Sequence, residues 1–284
     1  MKRIAIVGVG LMGGALGLAL RKRRGWRVAG LARREETVRA ARRRGAIHEG
    51  STDPARVIPG ADVVVFCSPA DKIVSLAKAY RRFFSPGTLV TDVASVKGPI
   101  VASLEKVFNR AGGPVFVGAH PMAGSEKTGV ENARADLYQG AVCAITATRR
   151  TPLARVAQTA DFWKSVGART LVIDPDTHDR AVAVVSHLPH LIADALVLSA
   201  GQWRNADGTD LLKELAAGSF RDATRVAGAD PQLWRGIFRL NDRAVRGAVR
   251  LFSKNLERLA RGKWALADLR RAQAVNAKFK GMTK

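Results

Sequence analysis

Residues 2–14 read KRIAIVGVGLMGG and decide the fold of the chain. The stretch starts with a run of Ile, Ala and Val that is typical of a buried strand, and it continues into glycines spaced G-x-G-x-x-G. The first glycine makes a tight turn, the second lets the backbone approach a pyrophosphate, and the third allows a helix to pack closely on the strand. A diphosphate would lie on the N-terminus of that helix. The predicted cofactor contacts here are Gly8, Gly10, Leu11, Met12 and Gly13.

Strands and helices alternate from this stretch to residue 173. Strands are predicted at residues 2–9, 27–31, 62–67, 88–92, 114–119, 141–146 and 169–173, and helices at 35–44, 70–84, 97–109 and 152–166. This alternation predicts a parallel sheet with right-handed crossover connections. We therefore predict an α/β Rossmann-type dinucleotide-binding domain over residues 1–174.

The alternation stops at residue 174, and apolar residues then recur every three or four positions. Helices are predicted at 175–200, 210–227, 230–238 and 241–259, so residues 175–284 are expected to form an all-α C-terminal domain. The segment 182–198 is apolar round most of its circumference, which favours burial in a core or at a subunit interface. Pro189 lies inside it and is expected to kink or locally open the helix. The basic end, 276–284, is expected to fray.

The composition is that of a globular protein with a substantial core. A hydrophobic content of 47% over 284 residues allows two domains of ordinary size. The apolar runs 4–9 and 63–67 are far shorter than a membrane span, and the N-terminus leads straight into a strand, so we expect a cytoplasmic protein without a membrane segment. Cys67 and Cys143 have no partner at metal-ligand spacing and are expected to be reduced core residues.

The chain is strongly basic, with 47 Lys and Arg against 24 Asp and Glu and a net charge of +23. Such a balance raises the question of nucleic acid, and an NADP-binding regulator with a nucleic-acid-binding surface is the non-enzymatic alternative. The basic residues are spread along the chain, however, without a zinc module, a recognition helix or an aromatic RNA-binding strand. We therefore favour a solvated surface that attracts anionic substrates and do not expect a nucleic-acid partner.

The end of the second strand bears on the choice of cofactor. NAD enzymes usually place an acid there for the ribose hydroxyls, whereas this chain has Arg33 and Arg34. Two guanidinium groups can hold a 2′-phosphate through charge-assisted bonds, so NADP is predicted over NAD. The acids Glu35 and Glu36 look like the first turn of the next helix. Ser68 and Pro69, just after the 62–67 strand, are further predicted cofactor contacts.

Two polar segments follow neighbouring strands. Residues 92–97 read DVASVK at the carboxyl end of one strand, and residues 118–126 read GAHPMAGSE, in which His120 ends the next strand within a glycine-flanked loop. We expect Asp92 at the cofactor, and Ser95 and His120 in one crevice. Ser95 can orient the imidazole or hold the nicotinamide carboxamide, and it can equally be a helix N-cap. Lys97 is predicted to be a solvated lysine at a helix start rather than a catalytic cation.

The helical half carries further candidates. Residues 186–190 read SHLPH. No third ligand lies at zincin spacing, so no metal site is expected. His190 is preferred for a substrate pocket, and His187 is either a pocket residue or a core histidine. Arg221 and Arg225 lie four residues apart and can together bind a carboxylate, although surface charge is the alternative. Predicted substrate contacts are therefore His187, His190, Ser219, Arg221, Arg225 and Trp234.

Taken together, these motifs resemble the prephenate and arogenate dehydrogenases of tyrosine biosynthesis. The resemblance is carried by GVGLMGG at 8–14, DVASVK at 92–97, GAHPMAGSE at 118–126, SHLPH at 186–190, and FRDATRVA at 220–227 with DPQLW at 230–234. It implies that His120 contacts the ring hydroxyl, Ser95 supports it, Arg225 binds the ring carboxylate and His190 lies in the substrate pocket. It also implies a homodimer built through the helical substrate and dimerisation domain.

The reaction implied by the resemblance is oxidative decarboxylation of a small anionic cyclohexadienyl alcohol. His120 would accept the hydroxyl proton, with a pKa near neutrality if its surroundings do not perturb it. Prephenate and arogenate differ in a keto or amino group remote from the ring chemistry, and NADP use favours arogenate. A β-hydroxyacid dehydrogenase and an enzyme for an amino-substituted prephenate are the enzymatic alternatives.

Overall fold

The structure is a computed structural model that describes residues 1–23, 25–124, 127–203, 211–262 and 264–281. Ser125 and Glu126 of the 118–126 motif lie outside the described residues, as does the start of the helix predicted at 210–227.

The N-terminal half contains a six-stranded parallel sheet with strand order β3-β2-β1-β4-β5-β6. Its strands are β1 (Lys2–Val7), β2 (Trp26–Leu31), β3 (Glu49–Ser51), β4 (Val63–Phe66), β5 (Leu89–Asp92) and β6 (Val115–Phe116). The connecting helices are α1 (Leu11–Arg21), α2 (Glu35–Arg43), α3 (Pro54–Val57), α4 (Ala70–Tyr80) and α5 (Gly98–Phe108). Alternate strand residues feed one of two apolar cores, on opposite faces of the sheet. The predicted Rossmann-type α/β fold is confirmed.

A second, three-stranded sheet was not anticipated. It consists of β7 (Gly118–Pro121), β8 (Val142–Thr146) and β9 (Arg169–Ile173), with β7 antiparallel to β8, and α6 (Leu153–Lys164) lies between the last two strands. The strand predicted at 114–119 is therefore two strands in two sheets, and His120 lies within β7 rather than in a loop. The chain changes sheets next to Gly118, where a Cβ would overlap the Thr146 hydroxyl.

The C-terminal half is helical, as predicted. Its elements are α7 (Pro175–Val182), a π turn (Ala183–His187), α8 (Leu188–Gln202), α9 (Leu211–Leu215), α10 (Gly218–Thr224), a 3₁₀ turn (Arg225–Gly228), α11 (Pro231–Leu240), α12 (Asp242–Arg261) and α13 (Leu266–Gly281). The single helix predicted over 210–227 is wrong, because Ala217 is extended and the chain tightens at Arg225. Fraying does not begin at residue 276, since α13 continues to Gly281, and residues 282–284 lie outside the described residues.

Pro189 opens the helix as expected. The π turn of residues Ala183–His187 comes directly before it, and Pro189 then lies in the first turn of α8. A proline lacks the amide hydrogen that an α-helix needs, and its ring crowds the carbonyl one turn earlier, so the backbone widens there. His187 ends the wider turn, and His190 lies in the first turn of α8.

The segment Pro175–Gln202 is long and apolar enough to cross a membrane by length and composition, with a mean hydropathy of 1.7 in its most apolar window. The expectation that apolar runs fall far short of a span is therefore wrong for this segment. The evidence for a membrane span is weak, because a core helix of a globular protein passes the same test. Several of its apolar side chains are exposed in the single chain: Val184, Val185, Leu196, Val197 and Leu198.

The two halves meet where α7 touches the start of α5. The Asp179 carboxylate accepts hydrogen bonds from the backbone N–H groups of Lys97, at 2.7 Å, and Gly98, at 2.8 Å. These are donors that the first turn of a helix leaves unsatisfied, and a negative charge is favoured there. One carboxylate from the helical domain thus caps a helix of the Rossmann domain.

Candidate active site

The glycine turn between β1 and α1 fits a bound diphosphate. Gly8 has a φ of +100°, and a Cβ on Gly13 would overlap the Gly8 carbonyl oxygen, so neither position has room for a side chain. Gly10, in contrast, faces open space, and no side chain caps the N-terminus of α1. The Tyr138 hydroxyl donates to the Met12 carbonyl at 2.7 Å and ties α1 to the second sheet. Free amide groups beside an open Gly10 are what an anion needs.

The end of β2 is basic in the structure as well as in the sequence. Arg33 and Arg34 are both exposed, and neither forms an ion pair within the described part of the chain. Glu35, the nearest acid, accepts a hydrogen bond from the Thr52 hydroxyl at 2.9 Å. Ser68 follows β4 and donates to the Val7 carbonyl at 3.2 Å, and Pro69 precedes α4. The predicted cofactor residues thus follow the carboxyl ends of β1, β2 and β4.

Lys97 is completely buried, which makes the predicted solvated lysine wrong. Its ammonium group donates to the Asp92 carboxylate and, at 2.8 Å, to the Ala119 carbonyl. Asp92 also accepts from the backbone N–H groups of Ala94 and Ala119. Burial lowers the pKa of Lys97, while Asp92 opposes that shift. Both side chains hold β7 against β5, and the cofactor contact of Asp92 stays a prediction.

His120 lies next to this buried pair, and its side chain leads into a chain of three residues. Its Nδ1 is 2.9 Å from Nε2 of His178, and Nδ1 of His178 is 2.9 Å from the Asp179 carboxylate. His120 is 7% exposed and His178 is buried. The histidine from the second sheet is thus connected to the carboxylate that caps α5.

This chain determines which nitrogens carry hydrogen. A carboxylate only accepts, so Nδ1 of His178 donates to Asp179, and we assign the lone pair on Nε2 of His178 as the acceptor towards His120. Nδ1 of His120 must then donate to His178. The remaining nitrogen of His120, Nε2, carries a free lone pair and has no hydrogen-bond partner among the described residues. It is available to accept a proton.

The pKa of His120 lies well below its ordinary value. Burial is the main cause, and the nearby charges of His178, Lys97 and His187 act in the same direction. A near-neutral pKa was expected only if the surroundings of His120 left it unperturbed, and they do not. At pH 7 the ring is neutral, which a proton acceptor requires.

His178 and Asp179 were not predicted as site residues. Both lie in the first helical turn after Asp174, whose side chain accepts from the Thr177 amide as an ordinary N-cap, so the local sequence indicates only a helix start. Their role depends on contacts with Lys97 and His120, which are distant along the chain. An adjacent His-Asp pair in that turn is the one local signal that could have drawn attention to them.

Ser95 is partly buried in the turn between β5 and α5. The N-cap position of α5 belongs to Lys97, without a side-chain cap, so the alternative of an N-cap serine is wrong. His178, not Ser95, is the hydrogen-bond partner of Nδ1 of His120. Support of the imidazole by Ser95 therefore stays a prediction.

The two histidines of the 186–190 motif have different surroundings. His187 is buried, with Nδ1 bonded to the Asn241 amide group at 3.1 Å, and burial lowers its pKa to about 4. His190 is almost buried and stacks on Trp234, with ring centroids 3.6 Å apart. His187 meets the same indole ring edge-on at 6.1 Å. Neither Nε2 of His187 nor Nδ1 of His190 has a protein partner in the described residues.

The predicted substrate arginines belong to two different elements. Arg221 lies in α10 with Ser219, and Arg225 begins the following 3₁₀ turn, so they are not on one α-helical face as expected. All three side chains are exposed. Both elements pack against α8, the helix of His190. The structure thus places His190 and Trp234 in direct contact. The turn that begins at Arg225 packs against α8, the helix that carries His190.

A cavity of about 310 Å³ opens beside the stacked rings. His190, Asp194 and Trp234 line it together with Arg235 and Arg239, and alanines of and after the Arg225 turn complete the wall. A row of neighbouring rings leads from His120 through His178, His187 and Trp234 to His190 at the cavity.

A Rossmann domain whose glycine turn suits a diphosphate, combined with a neutral histidine and a helical second domain, defines an NAD(P)-dependent dehydrogenase. Comparison with known families gives the particular one. The model described as the prephenate dehydrogenase nucleotide-binding domain matches residues 16–172, and the prephenate dehydrogenase dimerization domain matches residues 174–263. The chain belongs to the prephenate dehydrogenase family.

Curated relatives and solved structures agree with this assignment. The chain is 32% identical to prephenate dehydrogenase of Lactococcus lactis, covering 92% of this chain and 71% of the relative, and 30% identical to cyclohexadienyl dehydrogenase of Zymomonas mobilis, covering 91% and 87%. Prephenate dehydrogenase of Aquifex aeolicus, solved with hydroxyphenyl propionate and NAD+, has a TM-score of 0.89 at 33% identity, covering 99% and 98%. Arogenate dehydrogenase of Synechocystis has a TM-score of 0.82 at 28% identity, covering 99% and 100%.

The β-hydroxyacid dehydrogenases share the fold alone. The 3-hydroxyisobutyrate dehydrogenase of Mycobacterium tuberculosis has a TM-score of 0.57 at 15% sequence identity, covering 99% of this chain and 94% of that one. The enzymatic alternative weighed from the sequence is thus a distant structural neighbour.

Proposed function

We propose that the protein catalyses the NADP-dependent oxidative decarboxylation of arogenate, prephenate or both, giving tyrosine or 4-hydroxyphenylpyruvate. The observation that carries the proposal is the neutral His120, whose Nε2 is free while Nδ1 is bound to the His178–Asp179 pair. Family membership supports the reaction class.

His120 is the proton acceptor in this mechanism. Its Nε2 takes the proton of the ring hydroxyl while hydride leaves the same carbon, and the ring carboxylate departs as carbon dioxide to give an aromatic product. When bound, the nicotinamide supplies the hydride acceptor. The positive charge that His120 gains is stabilised through His178 by Asp179, which two backbone amides hold in place. Ser95 is proposed to support the imidazole or the nicotinamide carboxamide.

The helical domain binds the other end of the substrate. We assign the ring carboxylate to Arg225, with Arg221 and Ser219 on the preceding helix, and the substrate pocket to His190, His187 and Trp234. Arg225 must position the carboxylate without stabilising it more in the ground state than in the transition state, because uniform binding does not raise the chemical rate.

The preference for NADP rests on Arg33 and Arg34. Both guanidinium groups are exposed at the end of β2. The neighbouring acid Glu35 accepts a hydrogen bond from Thr52 instead of pairing with them. Charge-assisted bonds to a 2′-phosphate are available to them, whereas no acid at this strand end receives the ribose hydroxyls of NAD.

A homodimer and a cytoplasmic location complete the proposal. The exposed apolar side chains of α8 lie in the region matched by the dimerization-domain model, so a second copy would cover them.

Steady-state rates with both substrates and both cofactors test the proposal. We expect NADP+ reduction with arogenate, prephenate or both, a higher kcat/KM with NADP+ than with NAD+, and a turnover of His120→Asn lower by roughly 10²- to 10⁴-fold with cofactor binding retained. Failure of the wild-type protein to reduce either cofactor with either substrate would overturn it.

A further inference from the structure

The cavity beside His190 contains one carboxylate whose charge no cation among the described residues balances. Asp194 lies one turn after His190 on α8, is half-buried, and has an Oδ2 atom 3.7 Å from Nε2 of His190. Burial lowers the pKa of that histidine, so it is neutral at pH 7 and is not a cationic partner. Among the described residues, no lysine or arginine forms an ion pair with Asp194.

Two cations line the same cavity but stay apart from this carboxylate. Arg235 and Arg239 extend from α11, are exposed, and form no ion pair with a described residue. The cavity wall therefore offers separate anionic and cationic groups, with the apolar faces of Trp234 and Phe238 between the helices. A zwitterionic group, with an ammonium next to a carboxylate, is the chemistry that matches such a wall.

The position of the cavity fits the remote end of the substrate. His178 contacts His120 and acts electrostatically on His187, which meets Trp234 edge-on, and Trp234 stacks on His190 at the cavity. In a cyclohexadienyl substrate the hydroxyl and the side chain are on opposite ends of the ring. A substrate whose hydroxyl meets His120 therefore carries its side chain at the ring position farthest from this histidine.

We propose that Asp194 is a specificity residue that binds the side-chain ammonium of the substrate, with Arg235 or Arg239 on the side-chain carboxylate, and that the enzyme consequently prefers the amino form, arogenate, to the keto form, prephenate. The inference rests on the proposed function. A keto group gives Asp194 nothing to bind, because a carboxylate and a ketone oxygen are both acceptors and repel one another.

The experiment compares kcat/KM for arogenate and prephenate in the wild type and in Asp194→Asn, which keeps the shape and removes the charge. We expect arogenate to be preferred by the wild type, and the variant to lose about tenfold on arogenate, the typical value of one charge-assisted hydrogen bond, without a loss on prephenate. The control is Asp161→Asn, an exposed aspartate of α6 that pairs with Lys164; its rates should be unchanged.

A binding measurement provides a second readout. In calorimetric titrations, the affinity for L-tyrosine, which has the ammonium, should fall about tenfold in Asp194→Asn. The affinity for hydroxyphenyl propionate, which lacks the ammonium, should stay the same. Equal losses for both substrates and both ligands, or a wild-type preference for prephenate, would overturn the inference while leaving the dehydrogenase function standing. A wild-type protein inactive on both substrates would overturn the proposed function instead.

Discussion

The tautomer of His120 follows from its contact with His178 and, through that ring, with Asp179. His178 accepts from His120, and Asp179 accepts from His178, so each ring can be neutral in one tautomer only. The sequence indicated His120, Ser95 and the glycine turn, because each is part of a local pattern. It did not indicate His178 and Asp179, whose function arises from contacts across the domain boundary.

Replacement of Asp179 by asparagine tests the role of this pair. The variant removes the charge that stabilises a protonated His120, so kcat should fall by roughly 10²-fold with the KM for NADP+ little changed. Because Asp179 also caps α5, the variant should lose about 1 kcal/mol of stability, measured by urea unfolding. Asp176→Asn, an exposed carboxylate on the same helix, is the control. Near-normal turnover of Asp179→Asn in folded protein would remove the pair from the mechanism.

At the scale of elements, the parallel sheet was predictable and the second sheet was not. Strands β1, β2, β4 and β5 each carry an apolar run followed by a helical pattern, which is local information. The pairing of β7 with β8 joins strands more than twenty residues apart, and the pattern of apolar residues along the sequence does not indicate which strands pair. The glycine at 118, which leaves room for the two sheets to meet, is visible only once Thr146 is seen beside it.

The glycine turn allows a matched pair of variants. Gly13→Ala would push a Cβ into the Gly8 carbonyl and should lower the free energy of unfolding by about 2 kcal/mol. Gly10 faces open space and has a φ of −80°, so Gly10→Ala should leave stability unchanged. The same variant should weaken NADP+ binding at least about tenfold, because the added methyl group occupies the approach of the pyrophosphate. Urea unfolding and fluorescence titration measure the two effects. Wild-type affinity in Gly10→Ala would contradict a diphosphate at this turn.

At the scale of the whole molecule, buried histidines make stability depend on pH. His187 has an ordinary pKa when unfolded and one of about 4 when folded, so the unfolded chain binds the proton more readily. Its contribution is complete above pH 6.5 and is lost as the pH falls towards 4, and His120 and His190 are shifted in the same direction. Acid therefore favours the unfolded chain.

The expected loss from His187 is about 2 kcal/mol between pH 7 and pH 5. Urea unfolding at the two pH values measures it. The His187→Gln variant, which has no ionisable group there, should show a pH dependence smaller by that amount. An unchanged pH dependence in the variant would mean that folding does not lower the pKa of His187 and would contradict this account.

The assembly is tested at the exposed face of α8. Leu198 is 66% exposed in the single chain, and a charge there should disrupt a dimer that buries it. We expect the wild type to sediment as a dimer and Leu198→Glu to sediment as a monomer or to have a dissociation constant raised more than about tenfold. Leu153→Glu, at an exposed leucine of α6, should stay dimeric. Dimerisation of Leu198→Glu with wild-type affinity would contradict an interface on this face.

The central claim, that Nε2 of His120 is the free basic nitrogen, is tested most directly by ¹⁵N NMR of the five histidines, each assigned by its substitution. At pH 7 we expect His120 to be neutral with its hydrogen on Nδ1. A hydrogen on Nε2 of His120, whether in the other tautomer or in the imidazolium ion, would contradict the account.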